Sequence, residues 1–378
     1  MYRYLIIIVA ILTISCNQVA ETSESQDTTV FDAVTLGYAT GFSIESYNDF
    51  KKVTVHKPFM NSKSGFEYFL TENLDAIPEH LKNKKWIKIP VENIVCTSTT
   101  HIPFLDYLDE SNSLVGFPTT DYISSKKMRA RIDTGEVTEL GIDKEMNLEK
   151  LVELDPDMIM AYTISGDLGQ FDKMEQLGIS TVINAEYLEE HPLGRAEWIK
   201  FVAAFFNKEE VADSVFKMIE SNYVKYNKIA RVKDGNPSVL SGIVYGDTWY
   251  LPGGKNYAAR LLQDAGGDYL WSQDSTRGFL ELSFEAVYEK AHEADYWIGV
   301  ASFETLNSIL QADARYGDFK AFKEKNVYTN NWRKGAKGGS EFLELGYLRP
   351  DIILADLIKI LHPNTLPQHE LYFHKKLE

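Results

Sequence analysis

Asn147-Leu148-Glu149-Lys150-Leu151, followed after the turn Asp155-Pro156-Asp157 by Met158-Ile159-Met160, reads as a capped helix that leads straight into a buried strand. Asn is a residue whose short side chain satisfies the free N–H groups of a first helical turn, and the apolar run after the acidic turn suits a strand covered on both faces. A second stretch has the same order: Ser283-Phe284-Glu285-Ala286-Val287, then Ala294-Asp295, then Tyr296-Trp297-Ile298. Each copy has a cap, an apolar residue, a glutamate, a helix, an acidic turn and a strand. The second is longer by two, since Glu149 to Asp157 is eight steps and Glu285 to Asp295 is ten.

Outward from these two stretches the texture stays that of alternating helices and strands, the signature of an α/β fold. Around the first copy, Ile94 to Cys96, Leu114 to Phe117 and Ser180 to Asn184 read as strands, and Leu168 to Gly178 as a helix. Around the second, Val239 to Val244 and Val327 to Thr329 read as strands, with helices at Asn256 to Ala265, Gly317 to Glu324 and Pro350 to Leu361. Between the two series, Ala196 to Phe206 and then Lys208 to about Val232 contain no Gly or Pro, and Val211, Val215, Ile219, Tyr223, Tyr226 and Ala230 recur at helical spacing. No strict heptad persists, so a coiled coil is disfavoured. The fold class expected is α/β: two Rossmann-like lobes joined by one long rigid helix. The lobes span residues 92–195 and 236–378, and the connecting segment spans 196–235.

Residues 31–91 differ. Thr40 to Tyr47, Lys51 to His56, Gly65 to Thr71 and Trp86 to Ile89 alternate apolar with polar residues between Asn, Asp, Ser and Gly, which predicts a small antiparallel β addition ahead of the first lobe.

Composition bounds the partners. The chain has 378 residues, 44% of them hydrophobic, and 39 Lys+Arg against 55 Asp+Glu leave a net charge of −16. Nucleic acid is not an expected partner, because phosphate-backbone binding needs clustered cations. The eight His show no metal-ligand spacing, so no metal site is expected.

The N-terminus carries Arg3, an apolar run from Tyr4 to Ile14, Ser15 and then Cys16. The run is too short to span a bilayer comfortably. It resembles a bacterial lipoprotein signal (residues 1–15), with Thr13 where such signals usually carry Leu, Val or Ile. That resemblance implies lipidation of Cys16, and residues 16–30, without aromatics until the fold begins, then read as a flexible tether. Cys96, the second cysteine, sits in Ile94-Val95-Cys96 and reads as a small buried hydrophobe.

Val115-Gly116-Phe117, Gly141 followed by Asn147 to Leu151, Leu154 to Asp157, the long middle helix and the Phe284-Glu285 repeat together resemble the class III substrate-binding proteins of ABC importers for ferric siderophores, haem and cobalamin. The resemblance covers about residues 92–362. It implies a monomer on the periplasmic side of a membrane, lipid-anchored, that binds a small-molecule chelate and docks on an ABC transporter permease. Glu149 and Glu285 are the positions that match the family's docking glutamates. A ligand between the lobes would meet the loops after the strands, which places His101, Tyr162, Tyr245, Trp249, Tyr250, Trp332 and Arg333 as candidate ligand-binding residues, with Arg277 and Lys337 as further cations. An iron siderophore is the first expectation, then cobalamin, then haem. No cofactor and no catalysis are expected. A reading from another class, a penicillin-binding-like acyl-enzyme using Ser124 and Lys127 of Ser124-Ser125-Lys126-Lys127, matches short words only, and Asp121 to Arg131 reads as a polar loop and not as the helix such a serine must open.

Overall fold

A computed structural model describes residues 30–143, 145–231 and 235–378. The signal segment, Cys16 and nearly all of the tether lie outside the described residues.

The N-terminal addition is a five-stranded sheet in sequence order: β1 (Asp32–Ala33), β2 (Phe42–Ser46), β3 (Lys51–Val55), β4 (Phe66–Thr71) and β5 (Trp86–Lys88). The first four strands pair antiparallel as the alternation predicts, whereas β5 runs parallel to β4. The segment between β4 and β5, with short 3-10 turns at Leu74–Ala76 and Glu79–Leu81, is long enough for the crossover that a parallel pair requires.

Lobe one contains β6 (Ile94–Cys96), α1 (Ile102–Tyr107), β7 (Leu114–Phe117), α2 (Lys126–Asp133), β8 (Thr138–Glu139), the hairpin β9 (Gly141–Ile142) and β10 (Glu145–Met146), α3 (Leu148–Leu154), β11 (Met158–Ala161), α4 (Gly169–Gln176) and β12 (Ser180–Ile183). Its main sheet is parallel throughout, in the order β12-β11-β6-β7-β8. The polar loop expected at Asp121 to Arg131 is in part helix α2, whose N-terminus is capped by Ser125 accepting from Met128 N.

The connection is more broken at its start than the absence of Gly and Pro implies. Two short helices, α5 (Pro192–Glu197) and α6 (Ile199–Ala203), precede the long α7 (Glu209–Arg231), and Asn207 at φ 54° separates them. The 23 residues of α7 make a rod of about 35 Å at 1.5 Å per residue. It buries Ala212, Phe216, Ile219, Tyr223 and Ala230, so its first turns present Ala212 and Phe216 inward, while Val211 faces solvent.

Lobe two runs β13 (Ser238–Ser241), β14 (Ile243–Tyr245), β15 (Thr248–Pro252), α8 (Tyr257–Asp264), β16 (Asp268–Tyr269), β17 (Phe279–Leu282), α9 (Phe284–Ala291), β18 (Tyr296–Ile298), α10 (Leu306–Ala312), α11 (Lys320–Lys323), β19 (Val327–Thr329), α12 (Glu341–Leu348), α13 (Pro350–Leu361) and β20 (Lys375–Lys376). The strand expected from Val239 to Val244 breaks at Gly242, and β14, β15 and β17 form a separate antiparallel sheet. The helix expected from Gly317 to Glu324 is interrupted at Phe319, which is fully buried and extended between a 3-10 turn and α11.

The main sheet of lobe two has the order β16-β13-β18-β19-β20, parallel except for β20 at the edge. In both lobes the first strand (β6, β13) is flanked on one side by the next strand of its sheet (β7, β16) and on the other by a later consecutive pair (β11 then β12, β18 then β19). β11 and β18 are therefore equivalent, and so are α3 and α9, which lead into them. The repeated sequence word is a repeated piece of topology.

The N-terminal sheet is fixed to the connecting region by two buried carboxylates. Glu197 accepts from the backbone N–H groups of Gly37, Tyr38 and Ala39, and Glu189 from those of Thr40 and Gly41 and from the Trp198 indole. Each spends its charge on several donors, which is how a buried carboxylate is tolerated. Phe42 packs on Trp198 and Phe201 beside them.

Candidate functional site

The C-terminal edges of the two parallel sheets face each other, as contacts between the lobes show. The turn after β6, Thr99–His101, packs against α12. After β7, the backbone N–H groups of Ser124 and Ser125 donate to Glu344 of α12 at 2.6 and 2.8 Å. The lobe-two loop beyond β19 lies so close that a Cβ on Gly339 would stand 1.9 Å from the Tyr122 carbonyl oxygen, a spacing only glycine permits. After β12, Glu190 pairs with Arg277 at 2.7 Å. Arg195 projects its guanidinium over the rings of Tyr257 and Tyr347, 4.0 and 4.7 Å from their centroids. Open α/β sheets bind ligands at this edge.

On the lobe-one side Tyr162 follows β11, half-buried, with its backbone N–H donating to Thr97 Oγ1 at 3.3 Å. Tyr187, also half-buried, donates from its hydroxyl to the Thr163 carbonyl at 2.7 Å. The Phe59 ring of the N-terminal addition packs on Gly166, where a Cβ would come within 2.7 Å of it, so the addition borders the loop after β11. Beneath these tyrosines lies Glu186, 2% exposed, whose Oε1 accepts from the Thr100 hydroxyl at 2.5 Å. Burial raises its pKa, against Thr100 and the nearby charge of Arg195, which lower it.

His101 does not present itself to the cleft. It is fully buried, neither ring nitrogen makes a well-formed hydrogen bond, and burial pushes its pKa down to about 3 against weak help from the Met160 backbone. Its neutral imidazole fills lobe interior beside α12. Trp249 is the second correction. Tyr245 to Pro252 is a hairpin strand and not a loop, and two-residue alternation turns Trp249 inward, where it is 0% exposed. Its indole donates to the Ser241 carbonyl at 3.1 Å and packs on Trp297, Phe284, Tyr316 and Phe319. The signal was present in Thr248-Trp249-Tyr250-Leu251, an alternating run after the turn pair Gly246-Asp247.

The same hairpin leaves Tyr245 81% and Tyr250 37% exposed. Trp332, 38% exposed, and Arg333 lie in the loop after β19. Arg333 is committed locally: its Nε donates to Glu341 at 2.9 Å and its guanidinium covers the Tyr372 ring at 4.1 Å.

The two glutamates of the repeated word sit at equivalent places. Glu149 is exposed in the first turn of α3, capped by Asn147 accepting from Lys150 N at 3.0 Å. Glu285 is exposed in the first turn of α9, capped by Ser283 accepting from Ala286 N at 3.2 Å. They differ in company. Glu285 is bound by Arg315 at 3.1 Å, and Arg315 is itself held by Asp313 and lies over the Phe284 ring at 4.0 Å; among the described residues Glu149 forms no ion pair. A recess of about 330 Å³, bordered by Asp247, Phe284, Glu285 and Arg315, opens beside the lobe-two copy.

The acyl-enzyme geometry is not formed. Ser124 is tied through its backbone to Glu344, and Lys127 pairs with Asp109 at 3.5 Å.

Three comparisons place this arrangement. An uncharacterized lipoprotein of Methanocaldococcus jannaschii is 28% identical over 85% of this chain and 78% of its own length. The solved structure of a possible iron-binding (periplasmic solute-binding) protein from Staphylococcus epidermidis superposes with a TM-score of 0.56 at 15% identity, over 72% of this chain and 99% of that one. IsdE of S. aureus, complexed with heme, superposes with a TM-score of 0.54 at 19% identity, over 71% of this chain and 98% of that one. The periplasmic binding protein family matches residues 94–331, which takes in lobe one, the connecting helices and lobe two as far as β19, without the N-terminal sheet. With that match across most of the two-lobe body, the chain belongs to the periplasmic binding protein family.

Proposed function

We propose that this protein is a lipid-anchored receptor of the cell envelope that captures an iron-chelate-type ligand between its lobes and delivers it to an ABC permease. The observation that carries the reading is the pairing of two topologically matched lobes, with their strand ends opposed and one exposed glutamate at the same helical turn of each. A binding protein needs an enclosed face for its cargo and an outer face for its partner, and this arrangement supplies both. Membership of a family of solute-binding proteins supports binding without chemistry. The lipoprotein relative supports lipidation of Cys16. The iron-related and haem-bound neighbours support a chelate: a ferric siderophore first, with cobalamin and haem as alternatives within the same class.

The test is a tryptophan-fluorescence titration of the full-length protein in detergent with ferric siderophores, cobalamin and haem. Saturable quenching by one of them, weakened by Trp332→Ala, is the expected result. No saturable response to any of them would overturn the reading.

A further inference from the structure

Residues 31–91 lie outside the stretch that matches the family, yet they are fastened to the two-lobe body by buried contacts. Tyr68 of β4 is 2% exposed, and its hydroxyl accepts the backbone N–H of Ile183 at 2.9 Å, on β12 at the edge of the lobe-one sheet. Lys85, just before β5, pairs with Glu175 of α4. Together with the Glu189 and Glu197 carboxylates, these contacts fix the added sheet in place. Covering an open strand edge is a sufficient reason for the sheet. It is no reason for the loop that joins β3 to β4.

That loop reaches the strand ends. In Pro58-Phe59-Met60-Asn61-Ser62 the Ser62 N–H donates to the Phe59 carbonyl at 3.1 Å, and Asn61 takes φ 66°, a conformation Asn tolerates better than most residues. The turn puts Met60 at its tip. The Phe59 ring lies on Gly166, where a Cβ would stand 2.7 Å from it. The Met60 backbone reaches the Tyr187 hydroxyl, which itself donates to the Thr163 carbonyl. The tip is thus held against the loops after β11 and β12, at the C-terminal edge of the lobe-one sheet. Phe59 alone would brace it there. Met60, in contrast, is 52% exposed, and Ile164, on the loop the tip touches, is 65% exposed. With the half-buried Tyr162 and Tyr187, these side chains form an apolar ledge where open α/β sheets take their ligands. Methionine suits such a ledge, since its flexible thioether adapts to apolar and aromatic surfaces.

We propose that the turn at residues 59–62 is a third wall of the cargo cleft, in which Phe59 sets the position against lobe one and Met60 touches the bound cargo. The inference rests on the cargo-binding reading above and adds a contact from outside both lobes. Because the sheet is already fixed, the wall stands in place before cargo arrives, and binding carries no cost of ordering it.

The experiment measures dissociation constants of the full-length protein in detergent for haemin, cyanocobalamin and ferrioxamine B, and carries forward the probe that the native chain binds most tightly. Met60→Asp should weaken that probe at least about ten-fold, because a carboxylate pressed against an apolar contact must be desolvated. Met60→Leu, which conserves volume and character, should stay within about three-fold of native. Met218→Asp adds the same charge at an exposed position of α7 and should leave affinity unchanged. Should Met60→Asp melt below the native chain, Met60→Gln takes its place, with at least about five-fold weakening expected. A folded Met60→Asp that binds as tightly as the native chain, or a loss equalled by Met218→Asp, overturns the third wall and leaves the chelate reading standing. A native chain that takes none of the three probes overturns the chelate reading, and the wall with it.

Discussion

The Glu344 carboxylate of lobe two accepts the backbone N–H of Ser124 in lobe one at 2.6 Å, across 220 residues of sequence. With Ser125 N as its second donor, it ties the lobes together at a point separate from the α7 rod. Burial pushes its pKa up to about 7, with Asp106 adding to the rise and the two N–H donors opposing it.

That shift sets a pH dependence. The ordinary value for this carboxyl is 4.5, so between about pH 4.5 and about pH 7 the folded chain keeps a proton that the unfolded chain has released. Stability contributed by Glu344 therefore falls as pH rises through that window and levels off above it. Glu344→Gln removes the titration, so its melting temperature relative to the native chain should rise between about pH 5 and about pH 8. Thermal melts that shift in parallel at both pH values would show that the tie does not titrate there.

Trp249 should behave as core and not as ligand contact. Trp249→Ala removes a large, fully enclosed side chain, a change that costs about 3–5 kcal/mol, read as a lowered urea midpoint. Trp332→Ala, at a half-open loop position, should leave that midpoint within about 0.5 kcal/mol of native. Equal destabilisation by the two would contradict the burial described for Trp249.

His101 carries the opposite pH signature to Glu344. Its folded pKa of about 3 lies below the ordinary 6.5, so the unfolded chain gains a proton first as pH falls. The native state loses stability between about pH 6.5 and about pH 3 for this reason. His101→Leu, which also removes two buried nitrogens that make no well-formed hydrogen bond, should flatten the acid limb of the stability curve at little cost near neutral pH. An unchanged acid limb would mean that the imidazole is hydrated.

The two-lobe frame was legible because it rests on periodicity and capping, which are local. Pro350–Leu361 coincides with its expected span, and Asn147 and Ser283 cap where expected. The candidate site was less legible, because its residues are selected by which way a side chain turns. Trp249 reads as a loop aromatic from the polar turn residues beside it, although its alternating run marks a strand, and pairing with Val244 and Leu282 puts its ring inside. His101 lies in the expected loop after a strand, but the packing of α12 over it, a contact between distant segments, decides its burial. Glu186 is not legible at all, since nothing in Ala185-Glu186-Tyr187 marks a buried carboxylate. Tertiary contacts supply what such short words lack.

The two glutamates proposed to dock on a permease give the last prediction. Glu149 and Glu285 are exposed and equivalent in topology, but Glu285 is held by Arg315, with side-chain exposures of 76% and 54%. A pair that exposed is worth about 0–1 kcal/mol, so a permease arginine can displace Arg315 at small cost, while Glu149 has no ion-pair partner to exchange among the described residues. Replacing both glutamates by Ala should leave chelate affinity nearly intact and abolish stimulated transport in vesicles carrying the partner permease. Single replacements should be mild, because rim charges act mainly on encounter and register, and Glu149→Ala should be the more harmful of the two. Arg315→Ala should strengthen docking by a few-fold, since it frees Glu285 without touching either helix cap. Loss of chelate affinity with intact stimulation in the double variant would place these glutamates in the cargo site and remove the docking assignment.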